Sequence, residues 1–128
     1  MIHHVAIWVF DLERMRDFYV RYFGGVQNSL YHNPQTQFQS YFLSFGNGAE
    51  LELMQIPTVD ETRNNVDKQF TGYAHIAFSA GSKENVDKIT KLIVEDGYIL
   101  AGEPRTTGDG FYESCIFDPE LNRVEITV

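Results

Sequence analysis

An α+β fold is predicted: two modules of strand, helix and three strands (βαβββ) that share one curved mixed sheet, a half-barrel with its helices on the outer face. Three observations lead there. A short pattern occurs twice, as His4-Val5-Ala6-Ile7 followed by Leu51-Glu52-Leu53 and as His75-Ile76-Ala77-Phe78 followed by Val124-Glu125-Ile126. The spacing from histidine to glutamate is 48 residues in the first copy and 50 in the second, so two halves of similar build fill the 128-residue chain. In each half an amphipathic helical pattern follows the histidine strand. A repeat of this length is too long for a solenoid unit and too short for an independent domain. One domain is therefore expected over residues 1–128, made of module 1–55, a polar linker 56–71 and module 72–128.

The first strand alternates Val5, Ile7 and Val9 with His4, Ala6 and Trp8, which is the period-two pattern of a sheet with one apolar face. Asp11 follows as a helix N-cap, its short side chain suited to an unpaired first-turn amide. Leu12, Met15, Phe18, Tyr19, Tyr22 and Phe23 recur at three- and four-residue steps, giving a helix with an aromatic face that ends at Gly24-Gly25. Strands are expected over 26–31, 38–45 and 49–54, separated by the turn signals Asn33-Pro34 and Gly46-Asn47-Gly48.

The second module restarts at Gly72-Tyr73-Ala74-His75. Ser82 is the expected cap of a helix that places Val86, Ile89, Leu92 and Ile93 on one face and stops at Asp96-Gly97. Strands near 99–102, 111–117 and 123–127 complete the repeat, with Asp118-Pro119-Glu120-Leu121-Asn122 as the turn before the last.

Composition narrows the function. A hydrophobic content of 43% is enough for a core, and no apolar run approaches the roughly 18 residues of a membrane helix. No membrane partner is expected. A net charge of −8 works against a polyanion, because nucleic-acid affinity rests on Lys and Arg neutralising phosphates. The single cysteine, Cys115, excludes an internal disulfide framework, and no charged-then-apolar leader opens the chain, so a reducing cytoplasm is the expected address. Cys115 itself has no obvious cationic neighbour in sequence and is expected to be inert.

Strand alternation places the chemistry. His4 shares its face with Ala6 and Trp8, Glu52 with Glu50 and Met54, His75 with Ala77 and Ser79, and Glu125 with Arg123 and Thr127; in all four segments this is the less apolar face. Two imidazoles and two carboxylates at equivalent points of a repeat form a candidate four-ligand metal site of His4, Glu52, His75 and Glu125. Glu50 shares the face of Glu52 and would replace it if the register slipped by two. His3 is sent to the opposite face by the same alternation, and His32 lies beside a turn. N and O donors of this kind suit Zn²⁺, Ni²⁺, Co²⁺ or Fe²⁺.

These residues resemble the vicinal oxygen chelate superfamily, which includes glyoxalase I, bleomycin-resistance proteins, extradiol dioxygenases and methylmalonyl-CoA epimerase. The resemblance spans essentially the whole chain. It is carried by His4-Val-Ala-Ile with Asp11-Leu12, Phe18-Tyr19, Gly72-Tyr73-Ala74-His75-Ile76-Ala77, and Asp118-Pro119 ahead of Val124-Glu125-Ile126. The His-Glu-His-Glu set is similar to that of small bacterial glyoxalase I (lactoylglutathione lyase). That likeness implies a divalent metal ion (Ni, Co or Zn, with Fe an alternative) and a homodimer. It further implies a lyase or isomerase reaction through an enediolate on a small vicinal-oxygen substrate, such as the hemithioacetal of an α-oxoaldehyde. Glu125 is assigned the proton transfer, with Glu52 able to act from the opposite side.

Substrate contact is assigned to Trp8, Arg105 and Tyr112. Glutathione-using members of the family carry an arginine where Trp8 stands and an asparagine where Ile56 stands; Arg105, ahead of Gly108-Asp109-Gly110, is placed to receive an anionic group from another direction. The resemblance leaves open another metalloenzyme of the superfamily, an extradiol dioxygenase or an epimerase, and a non-catalytic protein that binds an antibiotic. It also leaves open whether one chain or two complete the site.

Overall fold

Asp11 takes up extended backbone ahead of α1 (Leu12–Phe23), and its Oδ1 accepts the Arg14 amide at 3.0 Å. Gly24 closes the helix in the left-handed region at φ 67°, where a side chain would be strained. The computed structural model describes residues 1–128 and divides into two units, Met1–Thr62 and Arg63–Val128, the boundary falling inside the expected linker. The class is α+β, with one helix and one mixed sheet in each unit. The hydrogen-bond ladders thus fall into two sheets, where the repeat pointed to a single curved one. No helix is long and apolar enough to cross a membrane.

In the first unit β1 (His4–Trp8) is the edge strand. It runs parallel to β5 (Glu50–Gln55), which pairs antiparallel with β4 (Gln39–Ser44). The strand expected over 26–31 is broken into β2 (Val26–Gln27) and β3 (Tyr31–His32), both antiparallel to β4. Asn28 causes the break: its amide donates to the Phe42 carbonyl at 3.0 Å while its Oδ1 accepts the Phe42 amide at 2.9 Å, so a side chain replaces the ladder there. Helix α1 packs on β4 and β5, burying Met15, Phe18, Tyr19 and Tyr22 against Tyr41, Leu43, Leu51 and Leu53. Tyr41 also donates to Glu13 at 2.9 Å and accepts from Arg16 at 3.2 Å, pinning helix to sheet.

The second unit repeats the plan. β6 (His75–Ser79) is an edge strand parallel to β9 (Arg123–Thr127), followed by antiparallel β8 (Tyr112–Phe117) and β7 (Leu100–Thr106). Helix α2 (Lys83–Glu95) is capped by Ser82, whose hydroxyl accepts the Asn85 amide at 3.2 Å. It buries Val86, Thr90 and Ile93 against Ile116, Val124 and Ile126. Leu92, expected on that face, is 42% exposed, and Thr90 takes the inward position. The Thr90 hydroxyl can sit there because it donates to the Val86 carbonyl and meets the Ser114 hydroxyl, each at 2.6 Å, which satisfies both buried polar groups.

The turn before β9 is organised by buried Asp118. Its Oδ1 accepts the amides of Glu120 and Asn122, both at 2.9 Å, and its Oδ2 accepts the Asn122 side chain at 2.8 Å. These bonds hold Leu121 in the left-handed region at φ 63° and set the start of the strand that carries Glu125.

Candidate functional site

Each sheet has one face covered by its helix and one open face, and the open faces carry the histidines and glutamates. In the first unit the parallel register pairs His4 with Glu50 and Ala6 with Glu52, so Glu52 lies one pleat repeat along from His4 on the same side. In the second it pairs His75 with Arg123 and Ala77 with Glu125. The offset is identical in both units. It brings His4 Nε2 to 3.6 Å from Glu52 Oε2, and His75 Nε2 to 3.1 Å from Glu125 Oε2. The carboxylates are the more sheltered partners, 13% and 22% exposed, while the imidazoles are 39% and 42% exposed at the sheet edge.

Two donors held by one ion at about 2.1 Å lie about 3.0–3.4 Å apart for bond angles of about 90–109°. The His75–Glu125 separation falls within that range, and the His4–Glu52 separation is slightly wider. Each pair therefore fits half of an N/O donor set for a divalent ion. Neither unit brings a third His, Cys, Asp or Glu into such a group.

The surroundings of the two pairs differ. His4 is flanked by the Phe42 ring, edge-on at 5.3 Å, and by His3, whose Nδ1 lies 2.8 Å from His4 Nδ1. His3 is exposed, and its ring meets that of His4 just before β1 begins. In the tautomer where His4 Nδ1–H donates to His3, the His4 Nε2 lone pair is left free on the side of Glu52. Glu50, the residue opposite His4, forms no ion pair with it; the register does not slip. Trp8 lies on the same open face, 52% exposed, with its ring edge-on to Phe38 at 6.3 Å.

Beside His75 and Glu125 is a pocket of about 480 Å³, lined among others by Arg105, Cys115, Phe117 and Arg123. That volume suits a small molecule. Cys115 pairs with Glu125 across β8 and β9, and its thiol is pushed above its ordinary pKa, first by burial and then by the Glu125 charge. It is no activated nucleophile. Tyr112, expected to contact substrate, is not brought to the pair. With Ser114 and Ile116 it faces α2, where its hydroxyl donates to Asp87 at 2.7 Å, a bond that raises its pKa, and its ring meets Lys83 at 5.2 Å. Arg123 went unnoticed as a site residue in the sequence, although it stands two positions before Glu125 on one strand and so shares its face.

A family model described as the Glyoxalase/Bleomycin resistance protein/Dioxygenase superfamily matches residues 1–126. The chain belongs to this superfamily. Among curated proteins it is 26% identical over 132 residues to the uncharacterized protein YqjT of Bacillus subtilis (strain 168), covering 98% of this chain and 96% of that one. Among solved structures, a glyoxalase family protein from Enterococcus faecalis aligns over 100% of this chain and 97% of its own with a TM-score of 0.78 at 24% identity. The trypanothione-dependent glyoxalase I of Leishmania major aligns over 99% and 85% with a TM-score of 0.78 at 22% identity. A glyoxalase I mutant from Zea mays aligns over 98% of this chain with a TM-score of 0.80 at 24% identity, and this chain spans only 43% of the maize one. At these identities the structures establish the glyoxalase fold.

Proposed function

We propose that the protein is a metal-dependent lyase or isomerase of glyoxalase I type, acting on the hemithioacetal of an α-oxoaldehyde. The observation that carries this reading is the repeated His–Glu pair, set at one register on the open face of both sheets. Each pair supplies two donors, so a four-donor set of His4, Glu52, His75 and Glu125 draws on both units, from one chain or from two copies in a homodimer. A divalent ion bound there, Ni²⁺, Co²⁺, Zn²⁺ or Fe²⁺, supplies Lewis-acid stabilisation of negative charge on adjacent substrate oxygens.

The chain's own groups do the rest. The Glu125 carboxylate takes the proton from the carbon bearing the thiol sulfur and hydroxyl and a proton is returned to the neighbouring carbon, while the hydroxyl proton passes to the neighbouring carbonyl oxygen, so that the hemithioacetal becomes a 2-hydroxyacyl thioester with no net gain or loss of atoms. Glu52, at the same register offset in the first unit, is assigned the second proton-carrying role. His4 and His75 hold the ion, and the His3 contact fixes the His4 ring. Trp8 offers an aromatic wall and Arg105 a cationic one for the substrate's remote end. The thiol is left undefined by the chain, since Trp8 and Ile56 replace the residues that glutathione-using relatives carry. A reducing cytoplasm suits a chain with one half-buried, unactivated cysteine.

Metal-stripped protein reloaded with Ni²⁺, Co²⁺ or Zn²⁺ and offered methylglyoxal with a panel of thiols is expected to develop thioester absorbance. No turnover with any metal and thiol would overturn the reading. Oxygen uptake with a catechol under Fe²⁺ would assign the same residues to ring cleavage instead.

A further inference from the structure

Strand β7 does not follow simple alternation. Leu100 pairs with Ile116, Gly102 with Cys115 and Arg105 with Glu113, so the register shifts twice within one strand. Each shift turns the next side chain to the other face, so the two cancel: Arg105 lies on the open face with Glu113 and Cys115, as alternation from Leu100 would put it, but stands opposite Glu113 instead of Phe111. The net effect of the two bulges is to carry the Arg105 guanidinium two residues along β8, toward Cys115. Gly102 leaves room for it: a Cβ there would stand 3.3 Å from Arg105 Nη1 and 3.8 Å from Cys115 Cβ, so the arginine lies back over the strand toward Cys115.

Arg123 approaches the same place from β9. Its guanidinium lies 4.9 Å from the Phe117 ring and donates to the Val66 carbonyl at 3.3 Å, which fixes its plane while leaving further N–H donors free. Both arginines line the pocket beside His75 and Glu125, and both act on the Cys115 thiol, lowering its pKa against the larger effects of burial and Glu125. Neither forms an ion pair. The Arg105 side chain makes no hydrogen bond, even with Glu113 directly across the ladder. In a chain of net charge −8, two cations without a carboxylate partner in one pocket are out of keeping with the bulk surface. Asp67 and Glu125 also line the pocket, and ligation of an ion by Glu125 would offset its charge.

We propose that Arg105 and Arg123 form an oxyanion clamp, so that the molecule bound beside His75 and Glu125 carries a carboxylate or phosphate at the end away from its reacting oxygens. A planar guanidinium presents paired N–H donors that match either group. The substrate class this adds rests on the function proposed above, but the clamp can be tested without it. Metal-free protein is titrated with malonate and with inorganic phosphate at low ionic strength, following the arginine side-chain signals by NMR. Saturable shifts are expected at Arg105 and Arg123, the tighter anion naming the source. Arg105→Gln with Arg123→Gln should weaken binding about tenfold or more, and the corresponding lysine pair should recover part of it. Metal content, measured on the same variants, should match the parent.

Absence of saturable binding in the parent, or equal binding in the glutamine pair, would overturn the clamp even if metal and turnover are found. Arginine-dependent anion binding by a protein that takes up no metal would leave the clamp standing and sink the enzymatic reading. A circular-dichroism spectrum identical to the parent is the check that the variants are folded.

Discussion

Replacing Glu125 by Gln is expected to lower kcat for thioester formation by about 10²–10⁴-fold, the range that a positioned general base contributes. Gln keeps the size and the oxygen of the side chain but cannot accept a proton at neutral pH, so the loss should fall on kcat at saturating metal. Glu125 is the group to test because it pairs closely with His75, 3.1 Å away, and because buried Asp118 sets the start of its strand. The companion variant is Glu50→Gln. Glu50 shares the face of Glu52 and stands opposite His4, yet it forms no ion pair there, and its change should leave kcat within about twofold, well inside what one lost hydrogen bond costs. A measured kcat unchanged in the Glu125 variant, or a large loss confined to the Glu50 variant, would move the base elsewhere.

The second large effect is on stability. Leu53 is fully buried between α1 and the first sheet, with Ile7 and Tyr41 as its ladder neighbours and Glu52 next to it in β5. Leu53→Ala removes apolar volume that the surrounding aromatic residues cannot readily refill, and should cost about 2–5 kcal/mol in urea unfolding. Leu92→Ala is the contrast. With Leu92 42% exposed, the same truncation should stay within about 0.5 kcal/mol. Equal losses at both positions would mean that the helix faces have been assigned wrongly.

Local signals carried most of what the sequence revealed. Asp11, Gly24 and Ser82 act within one turn of their own position, so the helix ends were legible from residue type alone. The His–Glu pairs were legible because period two holds along β1, β5, β6 and β9 without interruption. What was missed depends on partners far along the chain. Thr90 is inward only because Ser114 waits for its hydroxyl, and β2 is cut short by a side-chain bond to Phe42. Arg105 stands opposite Glu113, two residues nearer Cys115 than an unbroken register would put it, only through two register shifts that no composition announces. Tyr112 is a different failure: counting in twos from Cys115 would have sent it to the helix side, where Asp87 holds it.

The superfamily is thus fixed by the family match and the fold by its neighbours, while the proposed chemistry rests on four side chains. Their role is tested most directly by equilibrium dialysis against Zn²⁺ with elemental analysis of the parent, His4→Ala and His75→Ala. If the pairs hold the ion together, the parent retains one ion per four-donor set. Each single variant then loses affinity by at least about 100-fold, the upper end of what outer-shell changes cost. If the parent takes up no ion, or if either variant binds as tightly as the parent, the repeated His–Glu pairs are not a metal centre.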